Sequence, residues 1–510
     1  MGYREITIQI PPGYGEEALK HRIQQCTGLE EFTYEIRHKS LDARKKKAIV
    51  WQMKIGVFSS YLDGDPPSPL PGLHIPYEKR NRKAVVVGSG PAGFFAGYVL
   101  GLAGYDVTIV ERGSDVETRK KGIRLFETTG VFNEHTNYAF GEGGAGTFSD
   151  GKLTSRSKHI SREKQFILDK YIEAGAPEEI AYLAKPHLGS DHLKLIVRNL
   201  RHMFQEQGGT IRFDTRLLDL VVQKGRVSAV TTTKGDLEAD IVMIAPGHSA
   251  YDTYRMLMKR GVGFRTKNFA IGCRVEHPQH LINMAQWGRP SLPGTGPAEY
   301  FLSDKKKAGL PVYTFCMCPG GTIVPATPFG HTNIVNGMSL YKRSGPFANA
   351  ACVAGVNIDR LLSRPASPEE ALDYMEKLEA AFFDVTKSFK APFCTIDDFI
   401  HRSLRADQVE TSYPLGVSPA PLWDMLPGMV ADALQEGLTN FCRKIKGFET
   451  GTIMGLESKT SAPIQVIRDE RLRVEGFHNL YLIGEGSGFA GGIISSGADG
   501  IRAAMTLVSP

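Results

Sequence analysis

The chain has 510 residues, of which 42% are hydrophobic and 23% are charged, and this is an ordinary soluble composition with room for two or three domains. The net charge of +6 is mild, so a nucleic-acid partner would need a clustered basic patch. The seven cysteines are scattered and form no CxxC pair, which excludes a zinc ribbon and a thioredoxin-like dithiol and leaves no predicted metal site. The first ten residues include charged side chains and no long apolar segment, so we expect no secretory signal there.

The first 62 residues predict a small α+β unit of β-α-β-β order. REITIQI alternates as a strand does, GEEALKHRIQQC has a helical pattern, and FTYEIRHKSLD and AIVWQMKIGVF predict two more strands. The basic residues 44–47 favour a solvated turn over a contact with RNA or an acidic protein. DGDPPSPLPGL then carries four prolines, which exclude a helix or a central strand and indicate a linker over residues 63–80.

The next stretch, KAVVVGSGPAGFFAG, has the features of a dinucleotide-binding turn. A GxGxxG spacing follows an apolar strand and opens an apolar helix, and a second strand ends in an acidic residue about twenty positions later. The glycines allow the turn, the approach of a pyrophosphate and close helix packing, while Glu111 accepts from ribose hydroxyls and disfavours a 2′-phosphate. The predicted cofactor contacts here are Gly88, Ser89, Gly90, Pro91, Ala92, Gly93, Glu111 and Arg112.

The glycine-rich stretch GEGGAGTFSDGKLTSR, residues 141–156, has too few apolar residues to build a core. Such a density of glycine indicates a backbone that lies very close to a ligand. Gly143, Gly144, Gly146 and Thr147 are expected to give backbone contacts, and Lys152, together with Ser149, a polar contact.

Residues 239–244 predict a further strand, which ends in an Ala245-Pro246-Gly247 turn. We expect Ala245 and Gly247 to close the cofactor domain before the chain leaves for a second domain. His248 is then a candidate proton donor, with a hydrogen-bonded structural histidine as the slightly favoured alternative.

The C-terminal segment NLYLIGEGSGFAGGIISSGADGIRAA decides between NAD and FAD. It reads as a strand, a Gly-Glu-Gly turn, a glycine pair and a helix, and a distant segment of this kind suits the long FAD molecule. The N-terminal N–H groups of this helix would face the N1/O2 edge of the flavin. The predicted contacts are Gly484, Glu485, Ala490, Gly491, Gly492 and Ile493.

Together with KSLDARKK and FCMCPGG, these motifs resemble a widespread, largely uncharacterised family of FAD-dependent dehydrogenases in the glutathione-reductase-like flavoprotein superfamily. The resemblance spans nearly the whole chain and is specific for the family, not for the substrate. One departure is Pro246, where the superfamily's turn usually carries Thr, so a hydroxyl is lost there without affecting the expected FAD site.

The region between the cofactor segments holds the remaining catalytic candidates. On a strand, Arg274 shares a face with Glu276, so it either holds a substrate carboxylate or forms an internal ion pair. Cys316 and Cys318 form a CxC pair, for which two packed thiols are favoured over a redox or metal role. Cys318 is nevertheless one of the catalytic candidates. Glu457, Lys459 and Thr460 lie just before the last FAD segment.

The sequence therefore predicts an α/β protein with a discontinuous Rossmann-type FAD-binding domain, an inserted strand-rich α+β substrate domain and a small N-terminal α+β domain. The expected boundaries are 1–62, a linker at 63–80, 81–265 and 441–510 for the FAD domain, and 266–440 for the insertion.

The expected function is that of an FAD-dependent oxidoreductase. Neither a second GxGxxG after a strand nor a CxxxxC beside the first helix is present, which argues against a glutathione-reductase-type mechanism. A small-molecule substrate and a transient NAD(P)H or other reductant are the expected partners, with no membrane, in the cytoplasm. The alternatives are a flavin-dependent RNA-modifying enzyme, with the N-terminal unit and its basic cluster as the RNA contact, and a non-catalytic flavin-bearing partner protein.

Overall fold

The computed structural model describes residues 1–69, 71–304, 309–405 and 408–508. Leu70 of the predicted linker, residues 305–308 and 406–407 of the predicted insertion, and residues 509–510 lie outside the described part of the chain. The described residues form a mixed α/β structure, and the predicted fold class is confirmed.

The N-terminal unit consists of β1 (Gly2–Ile10), α1 (Glu16–Thr27), β2 (Thr33–Asp42) and β3 (Val50–Ser59). β3 lies between the other two strands and pairs antiparallel with both. Alternate side chains such as Ile8 and Ile55 pack with Ile23 of α1 in a small core, which explains the two-residue periodicity of the strands. The β-α-β-β order agrees with the sequence prediction.

The basic residues 44–47 are exposed in the turn between β2 and β3. Arg44 forms an ion pair with Asp42 at 2.6 Å in this turn. This is the solvated arrangement that the sequence favoured.

The proline-rich segment after β3 connects this unit to the next. Between Ser59 and Lys83 the described residues form neither helix nor strand. The segment is fixed at both ends, since Tyr3 N–H donates to Gly64 O and Arg80 N–H donates to Gly104 O, both at 2.9 Å.

The next part of the chain forms most of the cofactor domain. Its elements are β4 (Lys83–Val87), α2 (Pro91–Leu102), β5 (Asp106–Val110), α3 (Val116–Thr129), α4 (Ser161–Glu173), α5 (Gly189–Glu206), β6 (Thr210–Arg212), β7 (Leu217–Gln223), β8 (Arg226–Thr232), β9 (Gly235–Glu238), β10 (Ile241–Ile244) and α6 (Tyr251–Lys259).

The remaining elements belong to the insertion and to the C-terminal segment that re-enters the cofactor domain. They are β11 (Phe264–Thr266), β12 (Phe269–Pro278), α7 (Gln279–Trp287), β13 (Ser303–Asp304), β14 (Val312–Cys318), β15 (Thr322–Pro325), β16 (Val335–Met338), β17 (Phe347–Val356), α8 (Ile358–Leu362), α9 (Pro368–Thr386), β18 (Ala391–Thr395), α10 (Ile396–His401), β19 (Val417–Pro419), α11 (Leu422–Met425), α12 (Gly428–Lys444), β20 (Thr452–Glu457), β21 (Ile464–Val466), β22 (Leu480–Leu482) and α13 (Ile493–Val508).

A parallel sheet in the order β22-β10-β4-β5-β6 is the centre of the cofactor domain. Its strands are apolar because both faces are covered: α2, α4, α5 and α13 pack on one face, and the antiparallel β7-β8-β9 layer packs on the other. The sheet is completed by β22 from the end of the chain, so the domain is discontinuous. The carboxyl ends of its strands meet at one edge, where such folds bind ligands.

The insertion is built on a large sheet whose order in the described chain is β13-β14-β17-β12-β20-β18-β19. Along β12, Ile271, Cys273 and Val275 belong to the apolar core beneath the helices. Arg274 and Glu276 alternate with them and therefore lie on the opposite face of the sheet.

The predicted boundary at residue 440 needs correction. It falls inside α12, and β20, which follows it, pairs with β12 and β18 of the large sheet. The chain leaves the cofactor domain at β11 and returns at β21, and these two strands pair with each other. Sequence periodicity alone did not show which sheet β20 joins, because pairing is a tertiary property.

Candidate functional site

The turn after β4 is shaped by glycines that no larger residue can replace. Gly88 has φ +98°, and a Cβ built there would lie 2.3 Å from Ala245 O. At Gly93 a Cβ would lie 2.0 Å from Gly88 O. α2 then begins at Pro91, after the N-cap Gly90, which offers no side-chain hydrogen bond. The first-turn N–H groups of α2 are thus available to an anion such as a pyrophosphate.

Glu111 at the end of β5 ties this turn to two other segments. Its buried carboxylate accepts hydrogen bonds from the N–H and hydroxyl of Ser89, each at 2.8 Å, and from Gly113 and Gly141 N–H at 3.0 Å. The carboxylate therefore has a structural role that the sequence did not predict. Its contact with a ribose stays a prediction.

Arg112, the neighbouring predicted contact, joins the end of β5 to α6. Its guanidinium pairs with both carboxylate oxygens of Asp252 at 3.0 Å. The same group lies 4.1 Å from the centroid of the Phe140 ring.

The glycine-rich segment 141–156 passes directly over the start of α2. Gly144 has φ +68°, and a Cβ there would lie 3.1 Å from Gly90 Cα. At Gly143 a Cβ would lie 2.1 Å from Thr147 Oγ1, which itself donates to Glu142 O. At Gly146 it would lie 3.3 Å from Ile493. The segment is therefore in contact with both the first and the last cofactor motifs.

Arg119 of α3 holds this segment in place and was not predicted from the sequence. The side chain is fully buried, and its guanidinium donates at 2.8–3.0 Å to the carbonyls of Asn137, Tyr138, Glu142 and Gly144. Burial lowers the pKa of Arg119 to about 10, which still leaves it charged. A signal was present, because Arg119 falls on the helix face of Val116, Ile123 and Phe126.

Glu142 is a second residue that the sequence analysis missed. Burial raises the pKa of its carboxyl to about 7, although Val116 N–H donates to it at 2.7 Å. Arg201 Nε lies 3.3 Å from its other oxygen. A titratable group is thus buried beside the glycine-rich segment.

The start of α13 completes the convergence. A Cβ at Gly484, in the turn after β22, would lie 2.4 Å from the Cβ of Ala92, and one at Gly500 of α13 would lie 2.1 Å from Ala92 O, so both the turn and α13 pack tightly on α2. By contrast, a Cβ at Gly492, whose φ is +75°, would meet nothing within 4 Å.

The other residues at the start of α13 share this open setting. A Cβ at Gly491 would only approach Glu485 Oε1, at 4.0 Å, and Ala490 is partly exposed. Ile493, in contrast, is buried. The N-terminus of α13 therefore opens into free space beside the glycine-rich segment.

The turn after β10 brings His248 to the same place. His248 Nδ1 lies 3.2 Å from Glu485 Oε2 of the C-terminal segment, and both side chains are largely buried. Gly247, with φ +67°, accepts from the Tyr254 hydroxyl at 2.6 Å. Ala245 packs against the Gly88 turn as described above, and Pro246 lies against Gly486. His248 thus faces a carboxylate of the C-terminal segment, and its proposed role stays a prediction.

Lys152 connects the glycine-rich segment to the insertion. Its ammonium pairs with Asp150 at 2.8 Å and donates to Met317 O in β14. Burial opposes the charge, but Asp150 raises the pKa of Lys152 above its ordinary value. Ser149 instead donates to Gly146 O at 2.7 Å, within its own segment.

Arg274 forms the internal ion pair that the sequence left as one of two alternatives. Its partner is Glu457 of β20, at 2.9 Å, and not Glu276. Arg274 has no exposed surface, and it also donates to Asn349 at 2.8 Å. Glu276 instead accepts from Ser412 N–H at 3.0 Å. The ion pair crosses between adjacent strands, which a pattern within one strand does not reveal.

Other candidates lie deeper in the fold. Lys459 pairs with the buried Glu379 at 2.7 Å, and Thr460 donates to Ala270 O at 2.9 Å. His277, which follows Glu276 on β12, lies with its Nε2 2.8 Å from Phe448 O, and burial lowers its pKa to about 4. Within the described residues, no group of three or more His, Cys, Asp or Glu side chains is placed to hold a metal ion. None of the described helices is long and apolar enough to cross a membrane.

Comparisons with known proteins agree with this geometry. Residues 81–242 match an FAD binding domain, and residues 268–460 match an FAD-dependent protein, C-terminal domain-like, while residues 3–58 match a domain of unknown function. An uncharacterised protein of Clostridium beijerinckii is 38% identical over 495 residues, covering 93% of this chain and 92% of its own. This chain belongs to the same family.

FAD is the cofactor of this flavoprotein, and the residues present fit it. The uncapped start of α2, the glycine-lined approach of segment 141–156 and the free space at Gly492 form one continuous surface of backbone groups. A long dinucleotide requires such a surface.

Solved structures show only distant likeness. A geranylgeranyl bacteriochlorophyll reductase-like protein of Thermoplasma acidophilum is 12% identical with a TM-score of 0.38, covering 83% of this chain and 77% of that one. Glycine oxidase of Bacillus cereus is 13% identical with a TM-score of 0.32, covering 83% and 94%. At these scores the likeness carries no argument about the reaction.

Proposed function

We propose that this chain is an FAD-dependent oxidoreductase that moves hydride or electrons between a small-molecule substrate and FAD. The observation that carries the proposal is the convergence of three glycine segments, with Gly144 against Gly90 and Gly146 against Ile493. When bound, FAD supplies the redox chemistry, and the protein supplies orientation and electrostatics.

The two helix N-termini suit the two ends of the cofactor. The first turn of α2 would hold the pyrophosphate, because Gly90 lets the ligand reach free N–H groups. The first turn of α13, beside Gly492, would present N–H groups and the positive end of the helix dipole to the flavin ring. Positive charge at that edge favours an electron-rich ring, as an oxidoreductase requires.

His248 is the residue we propose to exchange a proton with the substrate. Because Nδ1 faces Glu485 at 3.2 Å, Nε2 is the ring nitrogen left for this role, and the carboxylate fixes the ring orientation. Lys152 of the glycine-rich segment donates to Met317 O of the insertion and so closes one side of the site. The substrate would then bind between the glycine-rich segment and the large sheet.

We further propose that a nicotinamide or another small reductant docks transiently and that the protein works in the cytoplasm. All seven cysteines are free thiols, which suits a reducing compartment. Placement in the glutathione-reductase-like superfamily is part of the same proposal, supported by the parallel sheet with its β7-β8-β9 layer.

The test is the visible spectrum of the purified protein before and after anaerobic addition of NADH or NADPH. We expect stoichiometric FAD, and bleaching of its visible band by a reductant. Protein that holds FAD but is bleached neither by nicotinamides nor by a panel of small-molecule donors would overturn the proposal in favour of a non-catalytic flavin-bearing protein. The variant Glu485→Gln should keep FAD but be reduced more slowly by the donor.

A further inference from the structure

The thiols of Cys316 and Cys318 lie together at the end of β14, on the side of the insertion that meets the cofactor domain. The pairing of β14 with β17 shifts register between Phe315 and Cys318, which marks a bulge. Cys318 is buried and Cys316 is partly exposed. The pair therefore joins a partly exposed residue to a buried one.

The bulge gives the two residues a bent backbone. In a fully extended strand, residues two apart span about 7 Å, at the outer limit of the Cα separation of about 4.4–6.8 Å that disulfides use. Cys316 has φ +46°, a left-handed conformation that is uncommon outside glycine. As a result Cys318 Sγ lies only 3.3 Å from Cys316 O, so the Cys318 thiol donates to the backbone carbonyl of Cys316. Strained backbone of this kind clusters at functional sites.

Two cationic side chains face the pair, the buried Arg274 and the partly exposed Lys152. Arg274 Nη2 lies 3.4 Å from Cys318 Sγ and 2.8 Å from Cys316 O. Lys152 donates to the carbonyl of Met317, the residue between the two cysteines. Positive charge beside the pair favours ionisation of one of its two thiols.

The two thiols are not equivalent. The neighbouring Cys318 side chain holds the pKa of Cys316 well below its ordinary value against the effect of burial, and Lys152 and Arg274 act in the same direction. The Cys316 side chain, together with burial, raises the pKa of Cys318. Because Cys316 is the partly exposed residue of the pair and Cys318 is buried, we assign Cys316 as the attacking thiolate and Cys318 as the resolving thiol.

We propose that Cys316 and Cys318 form a redox-active dithiol that reacts by thiol–disulfide exchange with a low-molecular-weight disulfide. This inference goes beyond the proposed function, because the exchange requires neither a flavin nor a hydride donor. It assigns the bulge at the end of β14 as a second redox centre of the protein.

The exchange balances in two steps. The Cys316 thiolate attacks one sulfur of the disulfide RSSR, so that a mixed disulfide forms and RS⁻ leaves. Cys318 then gives its proton to that RS⁻, and its sulfur attacks Cys316 Sγ, which releases the second RS⁻. The dithiol is oxidised to an intramolecular disulfide, and RSSR is reduced to one RSH and one RS⁻.

The test uses the FAD-loaded protein and oxidised glutathione as the disulfide. After acid quenching and alkylation, peptide mass spectrometry should show that residues 316 and 318 have lost two hydrogens. Cys318→Ser should instead trap glutathione on Cys316, while Cys316→Ser should leave Cys318 unmodified. Cys26→Ser, at an exposed cysteine far from the site, is the matched control and should behave as wild type.

A rate measurement gives an independent check. With iodoacetamide at about pH 7, Cys316 should be alkylated at least about tenfold faster than Cys26, because an ordinary thiol is only a few per cent ionised there. If both thiols stay free in oxidised glutathione and Cys316 reacts no faster than Cys26, the dithiol proposal is wrong even if the variants fail to fold. The flavin spectrum of the same sample reports separately whether FAD is bound and reduced, so a failure of the dithiol proposal can be told apart from a failure of the proposed function.

Discussion

Replacing Arg119 by methionine tests how the glycine-rich segment is held over α2. The guanidinium is fully buried and is the shared donor to four carbonyls of residues 137–144, including Gly144 O at 2.8 Å. Methionine fills a similar volume without any donor. The variant Arg119→Met therefore leaves these acceptors without their partner and removes little packing.

The size of the effect follows from the hydrogen bonds. Each bond from a charged donor contributes about 1.5–3 kcal/mol. Part of that sum is offset because burying a guanidinium costs several kcal/mol of solvation. We expect Arg119→Met to lower the free energy of unfolding by about 3–5 kcal/mol. If about 3 kcal/mol of this loss comes from the segment leaving its FAD-binding conformation, the same free energy is lost from FAD binding. FAD affinity then drops by more than about 100-fold, since 1.4 kcal/mol is tenfold.

The assay is titration of the FAD-depleted protein with FAD, followed by flavin fluorescence, together with denaturant unfolding. Arg124→Met is the matched control, because Arg124 lies on the same helix and is exposed. The control should bind FAD as the wild type does. Arg119→Met that binds FAD within a few-fold of the control would refute the reasoning, because the segment would then not depend on Arg119.

Three further predictions concern the same site. Gly144→Ala should cost about 1–3 kcal/mol of unfolding free energy, because φ is +68° and the new Cβ would lie 3.1 Å from Gly90 Cα; thermal denaturation and FAD titration measure this. Glu142 keeps its proton in the folded protein up to a pKa of about 7 but loses it near 4.5 when unfolded, so stability should fall by about 3 kcal/mol as pH rises through that range. Glu142→Gln should flatten that profile in denaturant titrations at a series of pH values. Glu485→Gln should slow anaerobic flavin reduction by about 10–100-fold through the loss of the His248 orientation, as stopped-flow absorbance would show, and an unchanged rate would exclude this role.

The cofactor motifs could be predicted because each depends on local chain geometry. A turn such as that at Gly88, with φ +98° and no room for a Cβ, requires glycine, so the residue type reveals the conformation. Gly144 is constrained by both its φ and its close contact, and Gly492 by its φ of +75° alone. Residues from three distant parts of the chain could therefore be assigned to one surface before the fold was known.

The polar network around the site could not be predicted in the same way. Whether Arg274 pairs with Glu276 or Glu457 depends on which strand lies beside β12, and strand order is set by the packing of the whole sheet. The boundary error at residue 440 has the same origin. Arg119 is an intermediate case, since its helix face was visible in the sequence but its carbonyl partners were not.

The structure and the sequence favour different cysteines of the CxC pair. The sequence put forward Cys318 as the candidate, but the structure shows Cys318 buried and Cys316 partly exposed at the bulge. A strict two-residue alternation gives both thiols the same environment. The bulge breaks that alternation, and a bulge leaves no clear mark in a single sequence.

The most direct test of the account is a crystal structure of the protein with FAD bound. We expect one FAD molecule with its pyrophosphate at Gly90, its middle portion along Gly144 and its ring edge at Gly492. A flavin that contacts only one of these three glycines, or that binds at another part of the surface, would contradict the account.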